Sequence, residues 1–282
     1  MRLVLADQDG LQAISCDRLL ARLMDERAAN VPEITIDLRS AAFVDPYGAA
    51  CLLLIARHLA DRGQRLVCVL PSRERVQATA IGMGLVQMLR SLADVRNTLV
   101  ASQHSDREST LPLSPIRSRA DVQQVLSYLV DQAKAGLGYE LGDVLDATKV
   151  VSELCFNVVD HSRAEGLAVA RIYRDRQGRR FVSLAVVDAG IGIRNSLAKR
   201  FPEAQGWRNG QAMERALGGL SSRPEGGGAG LRNIHAIVRR TQGRLTIRSG
   251  DERLHVAADR RPRTLTGVSF PGTQVGISFS QR

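Results

Sequence analysis

Hydrophobic and polar positions change period along the chain, and those changes mark out its elements. Met1 to Ala6 and Leu11 to Ser15 alternate, which predicts two short strands. From Cys16 to Glu26, Leu19, Leu20, Leu23 and Met24 recur at the spacing of one helical face. Glu33 to Leu38 alternates again and reads as a strand. Phe43 to Pro46 reads as a turn. Pro46 suits the first position of a helix, because its ring presets φ and the amide hydrogen it lacks would have no partner there. That helix is predicted to run to about Asp61, apolar through Ala49, Leu52, Leu53 and Ile55, with Gly63 as its stop. A strand from Arg65 to Leu70, closed by Pro71, and helices over Arg73–Ile81 and Leu85–Leu92 complete a strand–helix alternation. Such alternation predicts a small α/β domain.

The periodicity then lapses. Ala101 to Ser118 is polar and holds two prolines, as a linker would. The expected division is residues 1–100, a linker at 101–117 and a second domain at 118–282. Ser118 suits an N-cap for a helix over Ala120–Ala135, striped by Val122, Val125, Leu126, Leu129 and Val130. A second helix follows Tyr139–Asp143 and runs through His161. Phe181 to Val187 reads as a strand ending at Asp188, and Leu231 to about Thr241 as a helix with Ile234, Ile237 and Val238 on one face. Arg244–Arg248, Leu254–Ala257 and Gln274–Phe279 read as strands.

Composition changes this picture in two places. The net charge of +10 is lodged in one half: residues 1–110 carry 13 Arg and 13 Asp plus Glu, and the rest carry 26 Arg plus Lys against 16 acids. A basic second half suits an anionic partner, or is a solvated basic face. The four cysteines, Cys16, Cys51, Cys68 and Cys155, lie far apart without a CxxC pair, which reads as buried free thiols rather than zinc ligands. No apolar run approaches the ~20 residues of a membrane span, and no leader pattern is apparent, so a cytoplasmic location is expected.

The candidate chemistry lies between Glu153 and Thr273. Glu153 and Asn157 are four residues apart, so they leave one helix face a turn apart. A carboxylate there can orient an attacking hydroxyl, and an amide oxygen can ligate Mg²⁺, although the same spacing also describes a plain polar pair. Asp160 and His161 follow closely. Asp188 at a strand end can accept from an exocyclic base amine, with Gly190 and Gly192 allowing close approach to a flat ring; GxGxxG is absent. Gly226, Gly228 and Gly230, followed by Leu231, precede a helix and offer amides to phosphates without the lysine of a P-loop. Taken alone, this run also reads as a flexible linker.

Two resemblances follow from these residues. The first half, over about Glu33 to Leu92, resembles a STAS (anti-anti-sigma factor) domain through its Asp45-x-x-Gly48 turn before an apolar helix. Regulatory members usually carry Asp-Ser-Ser-Gly with a phosphorylated serine, where this chain has Pro46 and Tyr47, so docking or dimerisation is the expected role. From about Ser118 to Ser280, the four signals in their order are similar to the GHKL ATPase superfamily, the Bergerat fold. The resemblance implies a two-layer α/β sandwich with a mixed sheet and a site for ATP and Mg²⁺. Glu153 would be the base, and Asn157 the Mg²⁺ ligand. Asp160, Asp188, Gly190, Gly192, Gly226, Gly228, Gly230, Leu231 and Thr273 would contact nucleotide. Arg194 to Glu225 corresponds to the ATP lid, and its Ser221–Pro224 end is similar to anti-sigma-factor serine kinases, with Arg223 toward the γ-phosphate.

No histidine lies between His104 and His161, so the phosphoacceptor helix of a sensor histidine kinase is missing from the expected place. The expectation is an α/β chain of two domains that binds ATP and Mg²⁺ and transfers the γ-phosphate to a protein partner. That partner would be a sigma-factor or anti-anti-sigma-like regulator. The alternative is an ATP-dependent switch or docking module without transfer. Relatives of both domains often associate, which makes a homodimer a further expectation. Nucleic acid is disfavoured, because only 4% of residues are aromatic and no groove-reading motif is present.

Overall fold

The computed structural model describes residues 1–4, 10–25, 31–98, 109–134, 141–174, 180–222 and 229–280. The first domain is a parallel sheet, ordered β1 (Arg2–Val4), β2 (Glu33–Asp37), β3 (Arg65–Val69), β4 (Ala93–Arg96). Its helices are α1 (Ala13–Leu23), α2 (Pro46–Asp61), α3 (Glu74–Gly82) and α4 (Leu85–Leu89).

The Asp45–Gly48 turn explains itself. Asp45 caps α2 by accepting from the Gly48 amide at 2.6 Å, and Pro46 occupies the first helical position. Gly48 has no room for a side chain: a Cβ there would sit 2.0 Å from the Leu11 carbonyl oxygen. Burial pushes the Asp45 carboxyl up to about 7.

Three expectations change. Leu11–Ser15 is not a strand: Leu11 makes one isolated bridge to Val44, and Gln12 and Ser15 form a capping box that starts α1. The predicted Leu85–Leu92 helix stops at Leu89, and β4 follows. The segment read as linker contains β5 (Ser109–Ile116), whose prolines are tolerated because β5 is an edge strand with shifted register.

The second sheet is ordered β5, β6 (Gly166–Arg174), β7 (Arg180–Asp188), β9 (Arg263–Ser280), β8 (Arg244–Ala257). Every described pairing in it is antiparallel, which corrects the expected mixed sheet. Strand β8 runs through the expected gap at 249–253 on a bulge at Gly250, whose φ is +64°. One face, with Ala168, Leu184, Val186, Val275 and Ile277, packs against α5 (Arg119–Lys134), α6 (Leu141–Asn157) and α9 (Ala229–Arg240). The other face, with Leu167, Val169, Ala185 and Val187, shares a single buried cluster with α2 and the first domain.

Helix α2 therefore lies between the two sheets. Leu52, Leu53, Leu54 and Ile55 are each at most 2% exposed, and such a side chain contributes about 1.5–3 kcal/mol when fully buried. Tyr47 lies against Gly276 of β9; a Cβ at Gly276 would come within 2.6 Å of the Tyr47 ring. No helix among the described residues is long and apolar enough to cross a membrane.

Candidate nucleotide site

Helix α6 carries Glu153 and Asn157, then loosens into a π-helical turn, Val158–Ser162, which ends at Arg163 with φ +61°. The looser turn brings Ser162 to the end of β7. Its carbonyl accepts from the Ile191 amide at 2.9 Å. A Cβ on Gly190 would sit 2.0 Å from that same oxygen, so packing against Ser162 by itself requires glycine there. Gly192, the first residue of α7 (Gly192–Ala198), has φ +76°, a conformation only glycine adopts freely, and lines the cleft.

Asp188 pairs in register with Thr273. Its Oδ1 accepts from the Gly190 amide at 2.8 Å and the Thr273 amide at 3.3 Å. Among the described residues no bond falls on Oδ2. Burial raises the Asp188 carboxyl to about 6, opposed by those two amides, so it is an ionised acceptor at neutral pH. Gln274 locks the strand end by donating to the carbonyls of Asp188 (3.0 Å) and Pro271 (2.9 Å).

These elements enclose a cleft. Asn157, Asp188, Gly192, Gly230, Leu231 and Thr273 all line it. Its cavity is about 100 Å³, below the ~300 Å³ of a typical small-molecule site, and Leu220, Ser221 and Ser222 stand on its wall. Ser222 Oγ lies 3.2 Å from His161 Nδ1 and 3.2 Å from Ser196 Oγ. Leu220, Ser221 and Ser222 follow α8 (Asn209–Leu217).

Not every expected residue converges. Asp160 is exposed, bonds Arg119 at 2.9 Å and does not line the cleft. His161 lines it instead; its spacing of four from Asn157 was the available signal. Glu153 does not line the cleft but borders it: a Cβ on Gly230 would meet Glu153 Oε2 at 2.6 Å. Arg223, Gly226 and Gly228 lie outside the described residues. Gly230 is the second residue of α9, and the first turn of a helix offers amides suited to an anion. Among the described residues no cluster of three or more His, Cys, Asp or Glu could hold a metal ion; the cleft offers the single Asn157 amide.

Residues 142–279 match the family model described as histidine kinase-, DNA gyrase B- and HSP90-like ATPase. This part of the chain is a domain of that kind, also called HATPase_c or GHKL. No curated protein matches the chain. Among solved structures, the mycobacterial sensor histidine kinase MprB is similar at 20% identity, over 60% of this chain and 98% of that one, with a TM-score of 0.29.

Proposed function

We propose that this chain is a cytoplasmic ATP-binding regulator of the anti-sigma-factor serine-kinase type. Its chemistry would be transfer of the ATP γ-phosphate to a serine or threonine of a sigma-factor or anti-anti-sigma-like partner. The observation that carries the reading is the convergence of Asp188, Asn157 and the start of α9 on one cleft in a GHKL domain. An ionised Asp188 with a free oxygen suits an exocyclic adenine amine, and the α9 amides suit phosphate. Asn157 would hold Mg²⁺, which takes its other ligands from phosphates and water. When bound, the ion would neutralise charge on the phosphates. Glu153, beside Gly230, would orient the acceptor hydroxyl.

The first domain would be STAS-like and serve for docking. A parallel sheet and the capped Asp45–Gly48 turn support that assignment. A second reading is a switch that binds ATP without transfer, and the position of Glu153 outside the cleft lining favours it.

A thermal-shift titration with Mg-ATP tests the shared premise. Ligand at one hundred times Kd stabilises by about 2.7 kcal/mol, or roughly 5–10 °C for a domain of this size. The shift should appear in wild type and vanish in Asp188→Asn; no shift in folded wild type would refute ATP binding. Glu153→Ala separates the two readings: under transfer it keeps the shift and loses phosphorylation of the partner.

A further inference from the structure

A second cavity lies on the opposite face of the antiparallel sheet, where the first domain leaves it uncovered. It measures about 720 Å³, within the ~300–1,000 Å³ range of small-molecule sites. One wall is the turn at Phe43–Tyr47 and the start of α1; the other is β6, β7 and the β8–β9 hairpin. Tyr173 and Phe181 stack at 5.2 Å with 17° between their planes and give that wall a flat apolar panel. Phe43, 42% exposed, stands at the first wall.

The charge is one-sided. Arg244, Arg253, Arg260, Arg261 and Arg263 line the cavity, with His255 between them and Asp45 as the one lining carboxylate; behind the lining, Arg253 pairs with Asp17, and Arg260 Nε lies 3.9 Å from Asp259. Asp45 is already engaged with the Gly48 amide.

We propose that this cavity binds a small aryl anion, a planar aromatic group bearing a phosphate, sulfonate or carboxylate. The arginines supply the anion site, since guanidinium forks match the oxygens of such groups. The Tyr173–Phe181 panel supplies a surface for the ring. The ligand would touch both domains, so it would bind the docked arrangement in preference to the separated one. The site shares no lining residue with the nucleotide cleft.

Phenyl phosphate is the probe, titrated calorimetrically into the full chain with excess Mg-ADP present. Saturable binding is expected in wild type. The double variant Arg261→Ala/Arg263→Ala, at two exposed positions, should weaken it about tenfold or more. Ser183→Trp, which fills the space beside Phe181, should abolish it. Both variants should keep the wild-type thermal shift with Mg-ATP, so the outcome is separate from that of the nucleotide site. No saturable binding by folded wild type, unchanged affinity in both variants, or equal affinity for inorganic phosphate would overturn the proposal.

Discussion

Replacing Asp17 by Asn should destabilise the chain far more than a surface carboxylate would. Asp17 stands on α1 of the first domain and meets two arginines of β8. Its Oδ1 is 2.6 Å from Arg248 Nη1, and its Oδ2 bonds Arg253. The arginine side chains are 3% and 8% exposed, and Asp17 is 24% exposed. Asn keeps the shape and removes the charge, leaving two buried guanidiniums side by side. Their remaining bonds, from Arg248 to the Val268 carbonyl and from Arg253 to the Ala13 carbonyl, do not supply a counter-charge. Removing one member of a buried pair costs about 3–5 kcal/mol; because water reaches Asp17, the lower end, about 3 kcal/mol, applies. Against a global stability of roughly 5–15 kcal/mol, that is a large share. Urea unfolding followed by circular dichroism and by the fluorescence of Trp207, the chain's one tryptophan, measures it. The triple variant Asp17→Leu/Arg248→Met/Arg253→Met should recover most of the loss, since an apolar replacement removes the stranded charges. A loss below about 1 kcal/mol in Asp17→Asn would refute the reasoning, because only a solvated pair is worth so little.

Three further outcomes are expected. Gly190→Ala should cost about 2 kcal/mol or more and weaken Mg-ATP binding, since its Cβ would meet the Ser162 carbonyl oxygen at 2.0 Å; a neutral melting curve would count against that packing. Asp45 has a folded pKa raised to about 7, so the folded state holds an extra proton between the unfolded value and that pH, and stability falls as pH rises through the interval. Asp45→Asn should therefore gain on wild type by a few kcal/mol at most at about pH 8 and by less at about pH 5, read from urea midpoints at the two pH values. The four cysteines are buried, and burial pushes Cys68 and Cys155 up to about 12, so a thiol reagent should label the native chain only as fast as it unfolds; rapid labelling would contradict their burial.

The sequence was readable where local chemistry decides structure. Pro46 after a capping Asp45, Gly63 after α2 and Pro71 after β3 punctuate the first domain at the expected places. The cleft was readable because its residues serve it through their own backbone needs: Asp188 at a strand end, Gly192 at positive φ, Gly230 at a helix start. Elsewhere a competing signal won. The alternation at Leu11–Ser15 lost to the Gln12–Ser15 capping box, and Pro112 and Pro115 disguised an edge strand as linker. Asp160, expected at the site from its place just after Asn157, is exposed and bonds Arg119, far off in sequence. The union of the two domains left no local trace. Arg248 and Arg253 read as ordinary charges on a strand, and Gly276 reads as a gap until Tyr47 fills it.

That union decides what the Asp45–Gly48 turn can be. In β9, successive residues face opposite sides: Val275 lines the nucleotide cleft, and Gly276 receives the ring of Tyr47. The two sites are therefore separated by the sheet itself, and no rotation of Tyr47 carries its hydroxyl through the sheet. The ring is also 4% exposed and its hydroxyl unpartnered, so it is closed to a second molecule approaching from solvent while the domains stay docked. Tyr47 thus works here as a packing group, and its size follows from the work. Serine in its place would leave the hollow over Gly276 empty, and cutting a large buried aromatic to a small residue costs about 3–5 kcal/mol. Tyr47→Ser would therefore open a contact between the two domains.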